Sequence, residues 1–129
     1  MYMLKYFVLF ILLYLFNINL GFTKQLSDGT TNNLANQCFK SHEYNAKNYG
    51  RTLNKKYSNK KAYNLEYEIS DYKIFAVSSI TIKDNYNEEF DVNCFFNSNA
   101  YVFCFSDPYN LKNKENSQQV ECWNKPVRF

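Results

Sequence analysis

Four cysteines and one histidine are the side chains of this sequence best suited to bond sulfur, bind a metal ion or transfer a proton. They are Cys38, Cys94, Cys104, Cys122 and His42. An even number of cysteines favours two disulfides in an exported chain. Zinc sites favour closely spaced cysteines, whereas no two of these are nearer than ten positions and none lies within three residues of His42. The spacing therefore predicts disulfides, no metal or cofactor, and a solvated His42 near a helix start.

Paired carboxylates are the other candidates for acid–base chemistry. Glu66 and Glu68 share one face of a predicted strand, and Glu88 and Glu89 lie in a predicted turn. None has a partner acid in an apolar setting, the arrangement that separates two carboxyl pKa values for catalysis. The sequence also contains no glycine-rich phosphate loop, serine elbow or H-E-x-x-H motif. These patterns predict that the chain has no catalytic residues.

The first 21 residues, MYMLKYFVLFILLYLFNINLG, have the pattern of a secretory signal peptide. Lys5 precedes an apolar run from Tyr6 to Phe16, which is too short to cross a bilayer. We therefore expect export, with the remaining 108 residues forming one domain around one core.

Charge is unevenly distributed along the chain. Residues 40–61, here called the basic segment, have a net charge of +6, and residues 62–129 have a net charge of −4. The residues of this segment that could contact RNA phosphates are Lys47, Arg51, Lys55, Lys56, Lys60 and Lys61, with Tyr49, Tyr57 and Tyr63 as candidate stacking partners for bases. The alternative is a solvated helix face followed by a basic loop.

Hydrophobic periodicity predicts one helix and several strands. Residues 22–37 are polar and without a period, which favours a flexible arm. A helix capped by Ser41 and running to Tyr57 would place Ala46, Tyr49 and Leu53 on one face.

The strands are predicted at residues 62–69, 72–82, 92–96, 100–105 and 119–123. One helix on four or five antiparallel strands is an α+β fold in which the helix covers one sheet face.

The predicted hairpin suggests how the cysteines pair. Cys94 and Cys104 lie symmetrically about Asn99, so a hairpin centred there would place them opposite each other. That pairing leaves Cys38 to join Cys122, although four cysteines allow three pairings.

The order of these features resembles the small fungal guanyl-specific ribonucleases, and more closely the ribonuclease-like secreted effectors of powdery mildew fungi. The resemblance rests on the signal peptide, Cys38 before a helix, the strand DYKIFAVSS, the hairpin FDVNCFFNSNAYVFCF and the closing VEC. It implies a ribonuclease-like domain at residues 38–124 and a C-terminal tail at residues 125–129.

The catalytic groups of the resembled ribonucleases are missing from the matching positions. The glutamate base falls near Lys73, the late histidine near Cys104 or Phe105, and the arginine near Asn93. His42 lies before the predicted helix, not on the strand that carries the family's first histidine.

The expected function is that of a secreted, non-catalytic effector that acts as a monomer and binds a host protein, outside or inside host cells, with no membrane partner. One alternative is an RNA-binding protein without cleavage activity. Another is a secreted toxin or inhibitor, although animal proteins of that kind are usually shorter and richer in cysteine.

Overall fold

A computed structural model describes residues 24–69, 71–110 and 119–129. The predicted signal peptide, residues 1–21, lies outside the described residues. Within the described part, no helix combines the length and the apolar character needed to span a membrane.

The described residues form one helix and six strands. They are β1 (Lys24–Gln25), α1 (Asp28–Lys47), β2 (Ser58–Ile69), β3 (Tyr72–Lys83), β4 (Glu89–Phe96), β5 (Val102–Asp107) and β6 (Gln119–Val127). The strands form one antiparallel sheet in the order β1-β2-β3-β4-β5-β6. The predicted α+β class, with one helix on an antiparallel sheet and two disulfides, is confirmed.

The helix begins much earlier than the sequence pattern predicted. Ser27 is its N-cap and accepts a hydrogen bond from the Thr30 amide, so residues 28–37 of the predicted flexible arm are helical. The buried positions recur every three or four residues from Thr31 to Ala46. Several of them are polar, among them Ser41, which lies inside the helix and does not cap it. A hydrophobic pattern alone therefore missed about the first four turns, residues 28–41.

The helix ends before Gly50, although the hydrophobic pattern predicts that it continues to Tyr57. The φ of Gly50 is +70°, and its amide donates to the carbonyl of Lys47 while the Arg51 amide donates to that of Ala46. These two hydrogen bonds are typical of a helix that ends at a glycine in the left-handed conformation. The second half of the predicted helix, to Tyr57, is consequently a loop that leads into β2.

The sheet has two faces that differ in their cover. The helix-covered face contributes Ile80, Ile82, Val92 and Phe96 to a core shared with α1. The opposite face carries a cross-strand row of Tyr63, Val77, Phe95, Cys104 and Cys122. Phe95 and Cys104 are buried there in a second cluster with Ile74 and Phe103.

The predicted pairing of the four cysteines is wrong because the β4–β5 hairpin contains a bulge. The turn forms at Asn97 as predicted, and Phe96 pairs with Val102 around the centre at Asn99. An irregularity at Phe103 then shifts the register by one residue, so Cys94 faces Phe105 and Phe95 faces Cys104. A shift of one residue turns a side chain to the other face of a sheet. Cys94 and Cys104 therefore lie on opposite faces.

The disulfides are Cys38–Cys94 and Cys104–Cys122. The first joins α1 to β4 on the helix-covered face, with Cα atoms 5.5 Å apart. The second joins the cross-strand neighbours of β5 and β6 on the opposite face, with Cα atoms 4.0 Å apart. Strand β6 also includes residues 125–127 of the predicted tail, so the folded elements extend beyond 38–124 on both sides.

Candidate functional site

The cations of the basic segment fall into two groups in the structure. Arg51 and Lys55 form ion pairs, whereas five lysines have no ion pair among the described residues. These five are Lys40 and Lys47 on α1, Lys56 in the following loop, and Lys60 and Lys61 in β2, and all are exposed. The segment therefore offers fewer free cations to a phosphate backbone than its sequence charge indicates.

Arg51 is held by two carboxylates from the β3–β4 turn. Its Nη1 donates to Asp84 Oδ2 at 3.0 Å and to Glu88 Oε1 at 3.2 Å, and its guanidinium lies 4.0 Å from the ring centroid of Tyr86. Asp84 is buried and also accepts hydrogen bonds from the Tyr109 hydroxyl and from two backbone amides. Burial alone would raise the pKa of Asp84. The hydrogen bonds from Tyr109, the two amides and Arg51 outweigh burial and hold this pKa below its usual range. Arg51 is thus a structural residue of this turn.

Lys55 is also neutralised, because its Nζ lies 2.6 Å from Glu43 Oε2 on the helix. The contact is exposed on the lysine side and contributes little to stability. It nevertheless fixes the loop between α1 and β2 beside the helix, which the sequence pattern did not indicate.

The three tyrosines proposed to stack on bases differ in how free their rings are. Tyr57 is half-buried, stacks on Phe39 at 5.3 Å and is hydrogen-bonded to Asn36, while Lys60 Nζ lies 6.0 Å from its ring centroid. Tyr49 packs against Tyr109 at 5.5 Å. Tyr63 is half-buried on the opposite face beside Val77. None of these rings is a bare platform of the kind that single-stranded RNA requires.

A buried carboxylate anchors the end of the helix to β5. Asp107 Oδ1 accepts from Asn45 Nδ2 and from the Tyr109 amide, both at 2.9 Å, and Asp107 Oδ2 accepts from the Tyr49 hydroxyl at 2.9 Å. Partial desolvation and the nearby Asp107 raise the pKa of Tyr49 to about 12. The group is satisfied on both oxygens, which is the arrangement of a structural anchor.

The positions that match the catalytic residues of the resembled ribonucleases lie far apart in function and surroundings within this fold. Lys73 is exposed near the start of β3, Cys104 is in a disulfide on the opposite face, and Phe105 packs on the helix-covered face. Asn93 forms a hydrogen bond with Ser79 at 2.5 Å. No two of these residues form an acid–base pair within the described part of the chain.

His42, predicted to be solvated, is buried in the middle of α1 with 1% of its surface exposed. Its Nε2 donates to the carbonyl oxygen of Asn93 at 3.2 Å, and its ring meets the Phe105 ring edge-on at 5.7 Å. Burial lowers the pKa of His42 to about 4, against smaller opposing effects of Asn93 and Asp107. The only histidine of the chain is therefore neutral at physiological pH and out of reach of a substrate in solvent.

A groove of about 590 Å³ lies between α1 and β6. Its lining is mainly apolar and consists of Tyr44, Trp123, Asn124, Lys125, Val127 and Phe129. Tyr44 is 58% exposed, and the rings of Trp123 and Phe129 pack together behind it at 5.3 Å. Because β6 is an edge strand, the groove borders backbone groups that no neighbouring strand in the described sheet pairs with.

Sequence reasoning missed this groove because its residues come from two distant segments. The sequence pattern predicts Trp123 in a final strand and Phe129 in a tail, and it gives no signal that Tyr44 lies beside them. Comparison of the chain with protein-family models, curated proteins and solved structures found no match.

Proposed function

We propose that this chain is a secreted, non-catalytic effector that binds a host protein from a disulfide-linked, ribonuclease-like scaffold. The observation that carries the proposal is the burial of His42, which leaves no imidazole at the surface to act as an acid or base. Ribonucleases of the resembled kind depend on histidine and glutamate placed together, and the matching positions hold Lys73, Asn93 and Cys104.

A binding role is also favoured by the groove between α1 and β6. An edge strand can pair with an extended peptide, and adjacent apolar pockets can then select its side chains. The exposed ring of Tyr44 and the half-buried rings of Trp123 and Phe129 supply such pockets. Aromatic residues of this type carry much of the binding energy in protein interfaces. We therefore expect the host partner to present an extended segment to β6.

Catalysis and binding can be tested separately. Purified protein incubated with RNA at neutral pH is expected to release no cleavage products above a no-protein control. Turnover that disappears in the His42→Gln variant would overturn the non-catalytic assignment.

The binding surface is tested with two exposed tyrosines. Tyr44, in the groove, is 58% exposed, and Tyr86, in the β3–β4 turn, is 62% exposed. A partner is first recovered from host extract with the wild-type protein and then purified for titration. We expect Tyr44→Ser to weaken its affinity at least tenfold and Tyr86→Ser to leave it unchanged. Equal effects of the two substitutions would exclude the groove.

RNA binding without cleavage is the second candidate, and the exposed lysines without ion pairs favour it. Lys60 lies near the Tyr57 ring, and Lys56 and Lys61 flank the same stretch of chain. If these lysines bind single-stranded RNA, log Kd should change with log salt by ~0.7 per phosphate contact. Replacing Lys56, Lys60 and Lys61 with glutamine should then flatten that dependence, whereas Lys83→Gln, on β3, should not. A salt-independent affinity would exclude this candidate.

A further inference from the structure

Five buried residues lie together between α1 and the sheet, and they are called here the buried polar cluster. Cys38, Ser41 and His42 occupy positions i, i+3 and i+4 on the inner face of α1. Ser78 on β3 and Cys94 on β4 are direct cross-strand partners on the helix-covered face. The Cys38–Cys94 disulfide connects the two layers through this cluster.

The cluster contains polar atoms without partners in a fully buried place. Cys38, Ser41, Ser78 and Cys94 are 0% exposed, and His42 is 1% exposed. Ser41 Oγ, His42 Nδ1 and Ser78 Oγ have no hydrogen-bond partner among the described residues. An unsatisfied buried polar group destabilises the folded state, so three in one place call for a ligand or a functional reason.

The hydrogen bond of His42 prepares its other nitrogen to accept a ligand. A backbone carbonyl only accepts, so the Asn93 carbonyl fixes the imidazole proton on Nε2. In the neutral ring, Nδ1 then carries a free lone pair. Histidines that bind metals characteristically donate their other ring N–H to a carbonyl or carboxylate in this way.

The two sulfurs and the imidazole form a compact set of metal ligands. A ring nitrogen of His42 and the Sγ atoms of Cys38 and Cys94 all lie within 4.8 Å of one another. In a tetrahedral zinc site, bond lengths of about 2.3 Å to sulfur separate two sulfurs by about 3.8 Å. Once the disulfide is reduced, the two sulfurs would therefore have to move apart by less than about 2 Å beyond their bonded distance to bind one zinc ion.

We propose that Cys38, Cys94 and His42 are a redox-controlled zinc site, in which the disulfide and the metal are alternative occupants of one buried position. A dithiol reductant transfers two electrons to the S–S bond, giving two thiols and the reductant's own disulfide. Zinc then binds both sulfurs and His42 Nδ1, and the two thiol protons are released to solvent. The fourth ligand is a water or one of the unpartnered serine hydroxyls.

Charge and ligand type select zinc among common cations. Two thiolates and Zn²⁺ sum to zero, which removes the cost of burying an uncompensated charge, whereas Cu⁺ would leave one negative charge. Mg²⁺ and Ca²⁺ prefer oxygen ligands and would not suit two sulfurs. This inference does not depend on the proposed function, because it concerns only the chemistry of the cluster.

The test uses protein reduced with a phosphine in denaturant, refolded under argon and shown to contain four free thiols. Titration with Co²⁺ is followed by the thiolate-to-metal charge-transfer band, and Zn²⁺ is then added to displace it. We expect one Co²⁺ per chain, full displacement by Zn²⁺, and a higher melting temperature of the reduced protein with Zn²⁺ than without.

Three variants locate the site. Cys104→Ser/Cys122→Ser, the matched control, should keep the band, Cys38→Ser/Cys94→Ser should abolish it, and His42→Gln should weaken Zn²⁺ binding at least tenfold. A variant that does not refold on its own is titrated in the same way, because zinc that completes a site also drives folding of its chain. Absence of the band in the reduced parent protein, or an undiminished band in Cys38→Ser/Cys94→Ser, would overturn the proposal.

Discussion

The two faces of the sheet differ in whether their polar side chains have hydrogen-bond partners. On the opposite face, the half-buried Ser79 bonds to Asn93, and the buried Thr81 donates to Asp91 at 2.6 Å. On the helix-covered face, Ser41 and Ser78 are fully buried with no partner among the described residues. Burial alone therefore does not leave polar groups unpaired, since the buried Thr81 has a partner, whereas three polar atoms around the Cys38–Cys94 disulfide have none among the described residues.

The contrast assigns the proposed partner binding to the exterior and the proposed zinc chemistry to the interior. Recognition by a partner requires exposed groups, and the groove at Tyr44 provides them at one edge of the molecule. The proposed zinc chemistry of Cys38, Cys94 and His42 lies beneath α1, where these side chains are shielded from solvent. If the two regions differ in this way, substitutions in the buried interior should lower the free energy of unfolding more than substitutions at the exposed groove.

Removing either disulfide should destabilise the protein, and the helix-covered one should matter more. The chain-entropy relation gives about 4 kcal/mol for Cys38–Cys94, which spans 56 residues, and about 3 kcal/mol for Cys104–Cys122, which spans 18. Guanidinium denaturation of the two double-serine variants without reductant measures both losses in the free energy of unfolding. A larger loss for Cys104→Ser/Cys122→Ser would contradict the ranking.

Acidification should destabilise the helix-covered face through His42. Its pKa is about 4 in the folded chain and 6.5 in an unfolded one, so only the unfolded chain binds a proton between these values. The resulting stability is complete above pH 6.5 and falls by about 3 kcal/mol as the pH drops to 4. Denaturation at several pH values should show this slope in the parent and a smaller one in His42→Gln. Identical slopes between pH 6.5 and 5 would show that His42 is not buried in the neutral form.

Truncating Asp107 should weaken the attachment of α1 to β5. Asp107→Ala leaves the buried Asn45 amide without its acceptor, at an expected cost of about 2 kcal/mol in the free energy of unfolding. Asp107→Asn is the matched control, because it keeps one side-chain oxygen and should lose less. An unchanged denaturation midpoint for Asp107→Ala would mean that water replaces the carboxylate without cost.

Substitutions at the exposed groove should affect binding and not folding. Tyr44→Ser removes a ring that is more than half exposed, so the free energy of unfolding should change by less than about 0.5 kcal/mol. Thermal melting of Tyr44→Ser and Tyr86→Ser should therefore coincide with that of the parent. A clear loss for Tyr44→Ser alone would identify its ring as part of the core.

The sequence predicted β2 to β6 because their chemistry is local, but it missed β1, a two-residue strand inside the predicted flexible arm. Alternating polar and apolar residues indicated β2, and Asn97 and Asn99 indicated the turn between β4 and β5. The helix was displaced because its buried face includes Thr31, Ser41 and His42, which no hydrophobic pattern selects.

The disulfides and the site depended on information that the sequence does not carry locally. Every residue of β5 is buried, so no alternation of polar and apolar residues reveals the bulge at Phe103. Placing Cys38 and His42 four residues apart in one helix would have identified them as neighbours, but the predicted helix began between them. The partners of Arg51 lie more than 30 residues away, in a turn whose contacts only the fold defines.

Disulfide mapping of the purified, unreduced protein tests most directly whether the two faces are linked separately. Proteolysis at low pH followed by mass spectrometry should recover a Cys38 peptide joined to a Cys94 peptide and a Cys104 peptide joined to a Cys122 peptide. A peptide joining Cys38 to Cys122, or Cys94 to Cys104, would contradict both the register of the hairpin and the buried site built on it.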